Sequence, residues 1–244
     1  MQQLLFLSMS ILLFATGSAQ PTEGKIIYER KVNMHKRIPK EDERMKQMMP
    51  EFNTSKTQLI YSGDQSIFSN VEAEENIVAN DEENGNRLVI RMAGQDNEVY
   101  KNYALHKMTA LRELGPRKYI IEDSLPVYKW QLKEETKIIK GYTCKKAVTV
   151  NQQQMPVIAW YTEQIPSASG PETWGGLPGM ILEIDIDNAA VVYTVLTIEN
   201  KLNKETAKAP TGGKKITNEE FTKMMKESMG PNGGARRVII RDVQ

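Results

Sequence analysis

The chain has 244 residues, of which 32 are Lys or Arg and 31 are Asp or Glu, so its formal net charge is +1. This balance lacks the excess of positive charge that nucleic-acid binding or attachment to an anionic membrane requires, and neither partner is predicted. The length suits one large β-rich domain with a short extension, and the one cysteine excludes an internal disulfide.

Residues 1–19 have the features of a secretory signal peptide. An apolar run at residues 4–15 is followed by the small residues Gly-Ser-Ala at 17–19, which is the arrangement that a signal peptidase recognises. We therefore expect cleavage near Ala19 and a mature protein that is periplasmic or secreted. Because no later run reaches the roughly 20 apolar residues of a membrane-spanning helix, no transmembrane segment is predicted in the mature chain.

The mature chain begins with a predicted strand at residues 24–34. Ile26, Tyr28 and Val32 alternate with polar residues and share one face of this strand, as a half-buried strand requires. Arg30 is the exception, because it is a charged residue at a position that faces the core.

A short helix is predicted at residues 39–49. Pro39 suits the first helical turn, and Met45, Met48 and Met49 follow at i, i+3 and i+4, the spacing of one apolar helix face.

From residue 54 to residue 150 the sequence predicts strands separated by short turns. The strand candidates are residues 57–61, 66–71, 87–92, 98–103, 106–114, 117–122, 127–132, 137–140 and 142–150. Strands at such short spacing, without helical patterns between them, favour an antiparallel meander. An acidic stretch at residues 72–86 is expected to be an exposed excursion. The predicted fold class is mainly β (α+β), with a meander curved into a half-barrel-like sheet that carries two short helices.

The strongest local signal is at residues 157–186. An apolar run is followed by a loop rich in Gly and Pro, and then by residues 180–186, in which apolar and acidic residues alternate. The Pro178-Gly179 step suits the centre of a tight turn. Trp174 is too large to be left in water, so we expect it to pack over an opening of the sheet.

Within this loop, residues 176–181 read GLPGMI. This segment resembles the motif that gives the GLPGLI family its name, with Met180 where the motif has Leu. The resemblance extends to Trp160-Tyr161-Thr162 and to the run GYTCKKA at residues 141–147. The family consists of secreted bacterial proteins without an established function or agreed catalytic residues. The resemblance therefore implies export and transfers no site.

The C-terminal part is predicted to end in a helix and a basic tail. Thr217 and Glu220 form a capping box at the start of the helix, and the tail from residue 236 is either a last edge strand or an unstructured end. The domain prediction is a signal peptide at 1–19, a β-rich domain at 20–205 with a helix near 39–49, and a segment at 206–244 that contains a linker, the helix at 217–229 and the tail.

Two interpretations of the central loop remain open: it closes the sheet structurally, or it is a lid over a ligand. Its candidate residues are Trp160, Trp174, Leu177, Pro178, Gly179 and Met180. The leading functional prediction is a non-enzymatic envelope protein that binds an apolar ligand or an envelope partner. An enzyme ranks third, because His35 and His106 lie in no catalytic motif and Ser169 lacks a G-x-S-x-G elbow. Cys144 is interpreted as a buried, unreactive thiol.

An alternative function follows from the methionines, of which the chain has 13. Met34, His35, Met45, Met48 and Met49 offer soft ligands for Cu(I). The simpler interpretation is that these methionines only fill the apolar faces of short helices. No other cofactor is predicted.

Overall fold

The computed structural model describes residues 20–39, 41–71, 77–81, 86–90, 97–202, 205–229 and 238–240. Within these residues the protein has fifteen strands, two α-helices and one 3-10 turn. Twelve strands form one sheet and three form a second, smaller sheet. The predicted mainly β fold is confirmed, although only one of the two helices is short. The signal-peptide prediction lies outside the described residues.

The elements are named in chain order. The strands are β1 (Glu23–Asn33), β2 (Phe52–Ser62), β3 (Gln65–Asn70), β4 (Ile77–Asp81), β5 (Asn86–Ile90), β6 (Glu98–Asn102), β7 (Lys107–Leu114), β8 (Arg117–Ser124), β9 (Gln131–Ile139), β10 (Tyr142–Val150), β11 (Pro156–Thr162), β12 (Met180–Ile186), β13 (Val191–Glu199), β14 (Lys214–Ile216) and β15 (Val238–Ile240). The helices are α1 (Glu43–Met48) and α2 (Asn218–Met229), and the 3-10 turn spans His35–Arg37.

The large sheet has the order β14-β8-β7-β6-β3-β2-β1-β13-β12-β11-β10-β9. The predicted antiparallel meander is present in three runs, β1 to β3, β6 to β8 and β9 to β13. In the middle of the sheet, β1 joins the first and third runs by pairing with β13, and β3 joins the first and second runs by pairing with β6. The sheet is mixed, because β14 pairs in parallel with β8.

The connection between β8 and β9 shows how strongly this sheet curves. These strands are second and twelfth in the order, and ten strand spacings on a flat sheet would separate them by about 48 Å. Residues 125–130 join the end of β8 to the start of β9, and a connection of this length spans at most about 25 Å. The two ends of the sheet therefore approach each other, which gives the half-barrel-like shape without closing a barrel.

The main core lies on the concave face of the large sheet. Ile26, Tyr28, Leu59 and Ile184 are fully buried there. The loop of residues 163–179 between β11 and β12, called the plug loop, adds its own apolar side chains to the same cluster. The space enclosed by the sheet is thus filled by a segment of the chain itself.

Helix α1 begins later than predicted. Its first residue is Glu43, and Asp42 caps it by accepting a 3.0 Å hydrogen bond from the backbone N–H of Met45. Pro39 lies before the helix, so its predicted place in the first turn is wrong. The carboxylate of Asp42 satisfies one of the free N–H groups at the helix start, and this cap fixes the boundary more strongly than proline does.

Helix α2 begins with the predicted capping box. The Thr217 backbone N–H donates to the Glu220 carboxylate at 2.9 Å, and the Glu220 N–H donates to the Thr217 hydroxyl at 3.1 Å. Phe221 packs edge-to-face on Tyr119 of β8, with ring centroids 6.0 Å apart. Among the described residues, no helix is long and apolar enough to span a membrane.

Three strand predictions need correction. The stretch at residues 72–86 contains β4 and the start of β5, which pair as a hairpin and form the small sheet with β15. The candidates at residues 127–132 and 137–140 are replaced by one strand, β9. The predicted linker before α2 contains β14. Charged residues interrupt these stretches and weaken the alternation on which a strand prediction depends.

Candidate functional site

The structure places four of the six loop candidates in the main core. Trp174, Leu177 and Met180 have exposed fractions of 6%, 2% and 0%, and Gly179 is buried beside them. The other two candidates are more accessible. Trp160 is half-buried on β11, with the Lys137 ammonium 4.4 Å from its ring centroid, and Pro178 is exposed.

Position 179 must be glycine because the backbone of the plug loop closely approaches the backbone of β11 there. A Cβ atom at this position would lie 2.1 Å from the Thr162 carbonyl oxygen and 2.6 Å from its carbon. No side chain fits at such distances, so glycine alone allows the end of the plug loop to pass the end of β11.

The plug loop is held by directional hydrogen bonds. Ser169 accepts at its backbone carbonyl from the Ile181 N–H at 2.9 Å, and its hydroxyl donates to the Ser66 hydroxyl of β3 at 2.8 Å. The Gly176 N–H donates to the Ala168 carbonyl at 2.8 Å. Since Ser169 is fully buried and paired with another serine, it does not form the nucleophile–histidine pair of a hydrolase.

Trp174 packs against residues 125–130, the segment that joins β8 to β9. Its ring stacks on Tyr128, with centroids 4.4 Å apart, and Trp130 packs against it at 6.1 Å. The Trp130 indole N–H donates to the Gly175 carbonyl at 2.9 Å. The burial of Trp174 agrees with the expectation that its large ring is not left in water.

Lys101 of β6 holds the middle of the plug loop by hydrogen bonds. Its ammonium group donates to the carbonyl oxygens of Gly170 at 2.7 Å and Trp174 at 2.8 Å. The side chain is fully buried, and this burial lowers the pKa of Lys101 to about 7, against an opposing effect of the Glu172 carboxylate. A buried amine with two carbonyl acceptors anchors the loop by charge-assisted hydrogen bonds.

Glu172, between these two carbonyls, is the centre of an inner polar cluster. The cluster consists of Arg30, Lys101, Arg112, Glu172 and Tyr193. The Tyr193 hydroxyl donates to the Glu172 carboxylate and accepts a 3.1 Å hydrogen bond from Arg30. Burial raises the pKa of Tyr193 well above its ordinary value, and Glu172 raises it further. Tyr193 therefore stays neutral and acts as a hydrogen-bond donor.

Arg112 of β7 is the second cation that faces Glu172. Burial lowers the pKa of Arg112, and the nearby Glu172 and Tyr193 oppose that shift. Arg112 and Glu172 are both partly buried, whereas Lys101 is fully buried.

Sequence reasoning missed this cluster, although one signal was present. Arg30 stands on the apolar face of its strand, and Lys101 shares a face with the fully buried Val99. A charged residue in an inward register marks a buried polar network. Nothing in the local sequence connects Glu172 to β6 or β13, because the plug loop reaches those strands only in the folded chain.

The structure brings the predicted metal candidates together around α1. Met34 and Met49 are each 6% exposed, and Met45 and Met48 pack against them in a second apolar cluster. The His35 ring nitrogen Nε2 lies 3.0 Å from the Met49 carbonyl oxygen. Across the part of the chain that the structure describes, no three His, Cys, Asp or Glu side chains are arranged to hold a metal ion.

The remaining two candidates, His106 and Cys144, are not part of the inner polar cluster. His106 is exposed in the turn before β7 and has a backbone φ of 52°. Cys144 is fully buried, and burial raises the pKa of its thiol to about 11. This agrees with the interpretation of an unreactive thiol.

Comparison with solved structures identifies similar folds. Two crystal forms of PNGF-II, in space groups C2 and P21, match with TM-scores of 0.56 and 0.55 and with 15% and 16% sequence identity. The matches cover 83% of this chain and 32% and 33% of the PNGF-II chains. The protein therefore spans about a third of the length of these structures, and the likeness shows the fold alone.

Comparison with curated proteins gave no match. Comparison with family models gave one match, which covers β11, the plug loop and the start of β12. Residues 149–183 of this chain, including its GLPGMI segment, are similar to Porph_ging, a bacterial family of proteins of unknown function.

Proposed function

We propose that this is an exported, non-enzymatic protein of the GLPGLI type that binds another protein of the cell envelope. Export rests on the signal-like residues 1–19, and the family assignment rests on the GLPGMI segment. A protein partner is favoured over an apolar small molecule by one observation, the filling of the concave face by the plug loop.

The plug loop takes the place that an apolar ligand would need. Trp174 and Leu177 of the loop share one buried cluster with Met180 and the rest of the sheet, and a lid that opens would have to expose both loop side chains to water. It would also have to break the two hydrogen bonds of the Lys101 ammonium. A loop with these contacts supports the interpretation of a structural closure.

Two depressions on the described surface also do not resemble a carrier's pocket. They have volumes of about 420 and 450 Å³, lie along α2 and are lined mainly by polar and charged side chains. An apolar carrier needs a concave site lined mostly by hydrophobic side chains. The more accessible outer surface is therefore the better place for recognition, and a protein is the kind of partner that binds such a surface.

Native mass spectrometry of the exported chain tests this proposal. The protein should be purified gently from the envelope fraction of a cell that expresses the full chain. We expect a polypeptide that starts near Gln20, without a small-molecule adduct, together with a complex that contains a second protein. An adduct that partitions into organic solvent would overturn the proposal in favour of a carrier.

A control separates the two interpretations of the plug loop. Trp174→Ala should lower stability without changing the mass of the native protein. Release of a bound small molecule by this variant at near-native stability would show that the loop is a lid.

A second candidate function is Cu(I) binding, because Met34, Met45, Met48 and Met49 lie in one cluster. Thioether sulfur prefers Cu(I), and several sulfurs in one apolar place are the ligand set that such a site requires. Titration with Cu(I) against a soft-metal chelator tests it. A triple Met45→Leu, Met48→Leu, Met49→Leu variant keeps the apolar volume, so undiminished binding by that variant would exclude these residues as ligands.

A further inference from the structure

The outer edge of β9 is an unpaired end of the large sheet. Among the described strands, β9 is the last in the order and pairs only with β10. It is nine residues long, and its first six residues are all exposed. The strand at the opposite end of the sheet, β14, has only three residues. An exposed edge of this length offers its N–H and C=O groups to a further strand.

The turn between β9 and β10 shows which backbone groups face outward. Lys140 and Gly141 have φ values of 49° and 85°, as the two residues of a type I′ hairpin turn do. The residues on either side of such a turn exchange hydrogen bonds with each other, and bonded pairs then alternate with unbonded pairs along the strands. Thr136 and Ile138 therefore direct their N–H and C=O groups away from β10.

Exposed apolar side chains are concentrated next to this edge. Leu132 and Ile138 are exposed and lie opposite Ala147 and Thr143 of β10, so the pairing register places both on one face of β9. Five of the eight large apolar side chains that are exposed in the described chain lie on β9, on the end of β10 or in the adjoining loops: Val127, Leu132, Ile138, Val150 and Met155. Such a concentration beside a free strand edge marks an interaction surface.

The same region carries an excess of positive charge. Residues 127–150 contain six lysines and two glutamates, whereas the whole chain is nearly neutral. Three of these lysines form ion pairs with Glu135, Glu163 and Glu183. The other three are exposed and have no ion-pair partner among the described residues, and Glu134 is the one carboxylate of this stretch in the same condition. These three lysines are Lys129, Lys133 and Lys140.

We propose that β9 binds an extended, acidic segment of a protein partner, which adds as a further strand to the large sheet. The inference rests on the proposed function, because it gives the protein partner its docking surface. The backbone groups of Thr136 and Ile138 form the directional hydrogen bonds. Apolar side chains of the segment lie beside Leu132 and Ile138, and its carboxylates lie near the free lysines.

A second copy of this chain is a poorer occupant of the edge. Its own β9 would bring the same excess of positive charge, and like charges on paired strands repel each other. The pairing of β9 with β10 is also irregular between Leu132 and Thr136, where four steps on β9 match two steps on β10. Lysines and bulges are features by which edge strands avoid pairing with themselves.

The test measures binding of a synthetic peptide to the exported chain, residues 20–244. The peptide has about eight residues, which is the length of a strand, and glutamate alternates with valine in it. A peptide with lysine in place of glutamate is the control for charge. Thr136→Pro is the main variant, because it removes an outward N–H that β10 does not use. Thr136→Val keeps this N–H and is the matched control.

Isothermal titration calorimetry at constant ionic strength reports the affinities. We expect saturable binding of the glutamate peptide by the wild type and by Thr136→Val, and binding weakened roughly tenfold or more by Thr136→Pro. The lysine peptide should not bind. Equal affinities of the two variants, or no saturable binding by the wild type, would overturn the proposal. Self-association that Thr136→Pro abolishes, without peptide binding, would assign the edge to a second copy and would overturn it as well.

Amide hydrogen exchange keeps the test decisive if Thr136→Pro does not fold. In the free wild-type chain, the N–H groups of Thr136 and Ile138 should exchange fast, whereas those of Lys137 and Ile139 are bonded to β10 and should be protected. Saturating glutamate peptide should slow the exchange of the first two. Unchanged exchange at both positions would show that the peptide binds elsewhere, which contradicts the proposed edge.

Native mass spectrometry separates this inference from the proposed function. A wild-type complex with a second protein that persists in Thr136→Pro would overturn the β9 site and leave the proposed function in place. The opposite result is a wild-type chain that forms no complex but protects the Thr136 and Ile138 amides when the glutamate peptide is added. It would overturn the proposed function alone, because the edge would still bind an acidic strand.

Discussion

The two apolar clusters of this protein are built in different ways. The main core contains the plug loop and is fixed by directional contacts, including the Lys101 ammonium, the Ser169–Ser66 pair and the stacked Trp174 ring. The cluster around α1 consists mostly of methionine side chains and three branched aliphatic residues. Methionine is unbranched and repacks easily, whereas buried hydrogen bonds and stacked rings accept one geometry.

The plug loop is therefore a fixed closure, whereas the packing of the α1 cluster can adapt. The plug loop has one arrangement, so a change at its centre costs stability and offers no alternative packing. The α1 cluster tolerates exchange of its side chains, which suits either simple packing or a soft ligand set. The predictions that follow test the contrast, beginning with the largest expected effect.

Trp174→Ala should be the most damaging of these substitutions. It removes a nearly buried ring that stacks on Tyr128 and packs against Trp130, and a large-to-small change of this kind costs about 3–5 kcal/mol. Chemical denaturation of the mature chain measures the loss. A loss below about 1 kcal/mol would mean that Trp174 is not part of a rigid core.

Met45→Ala is the matched change in the other cluster. Met45 is only partly buried, so its truncation should cost clearly less than that of Trp174. Equal losses at the two positions would remove the distinction between the clusters.

The buried ammonium of Lys101 should make stability depend on pH. Its pKa is lowered to about 7 in the folded protein, whereas an unfolded lysine keeps its ordinary value. Between these two values the unfolded chain binds more protons, so stability should rise as pH increases from about 7 towards 10. The total change should be on the order of a few kcal/mol.

Comparison of the wild type with the Lys101→Met variant isolates the contribution of Lys101 to the pH dependence of stability. The variant has no group to titrate, so its stability should rise less across the same pH range. It also leaves the Gly170 and Trp174 carbonyls without their donor, so it should be less stable than the wild type at high pH. Parallel pH profiles of the two proteins would show that Lys101 is not the group responsible.

Gly179→Ala tests how closely the plug loop approaches β11. The new Cβ atom would collide with the Thr162 carbonyl, and relief of such a clash by backbone movement costs about 2–3 kcal/mol. Gly63→Ala is the control, because its φ is also positive but open space surrounds it. The control should cost only about 1 kcal/mol, as an alanine in the left-handed region does. Similar losses in both variants would point to conformation alone.

Much of the fold was predictable because it depends on local patterns. Alternation and turn residues located most strands of the large sheet, and Thr217 with Glu220 located the start of α2. The order of the strands was not predictable in the same way. The placement of β1 between β13 and β2 depends on contacts between residues far apart in the chain, and no local pattern records them.

The site was predictable only in part, for the same reason. The plug loop was recognised from its Gly, Pro and Trp content, and the size and apolar character of Trp174 predicted that its ring would not be left in water. Glu172 and Lys101 were missed as partners, since they are 71 positions apart in the numbering and meet only across the folded sheet. Arg30 on the apolar face of β1 and Lys101 on the same face as Val99 were the visible signs of a polar interior.

The smallest expected effect lies in the α1 cluster, where the paired change Met45→Leu and Met48→Leu should cost less than about 1 kcal/mol. Leucine has nearly the volume of methionine, and both positions are partly buried, so the cluster should repack around the new side chains. The same denaturation experiment measures this change. A loss of several kcal/mol would mean that these thioethers have fixed positions, as ligands of a metal would have, and it would favour the copper interpretation over simple packing.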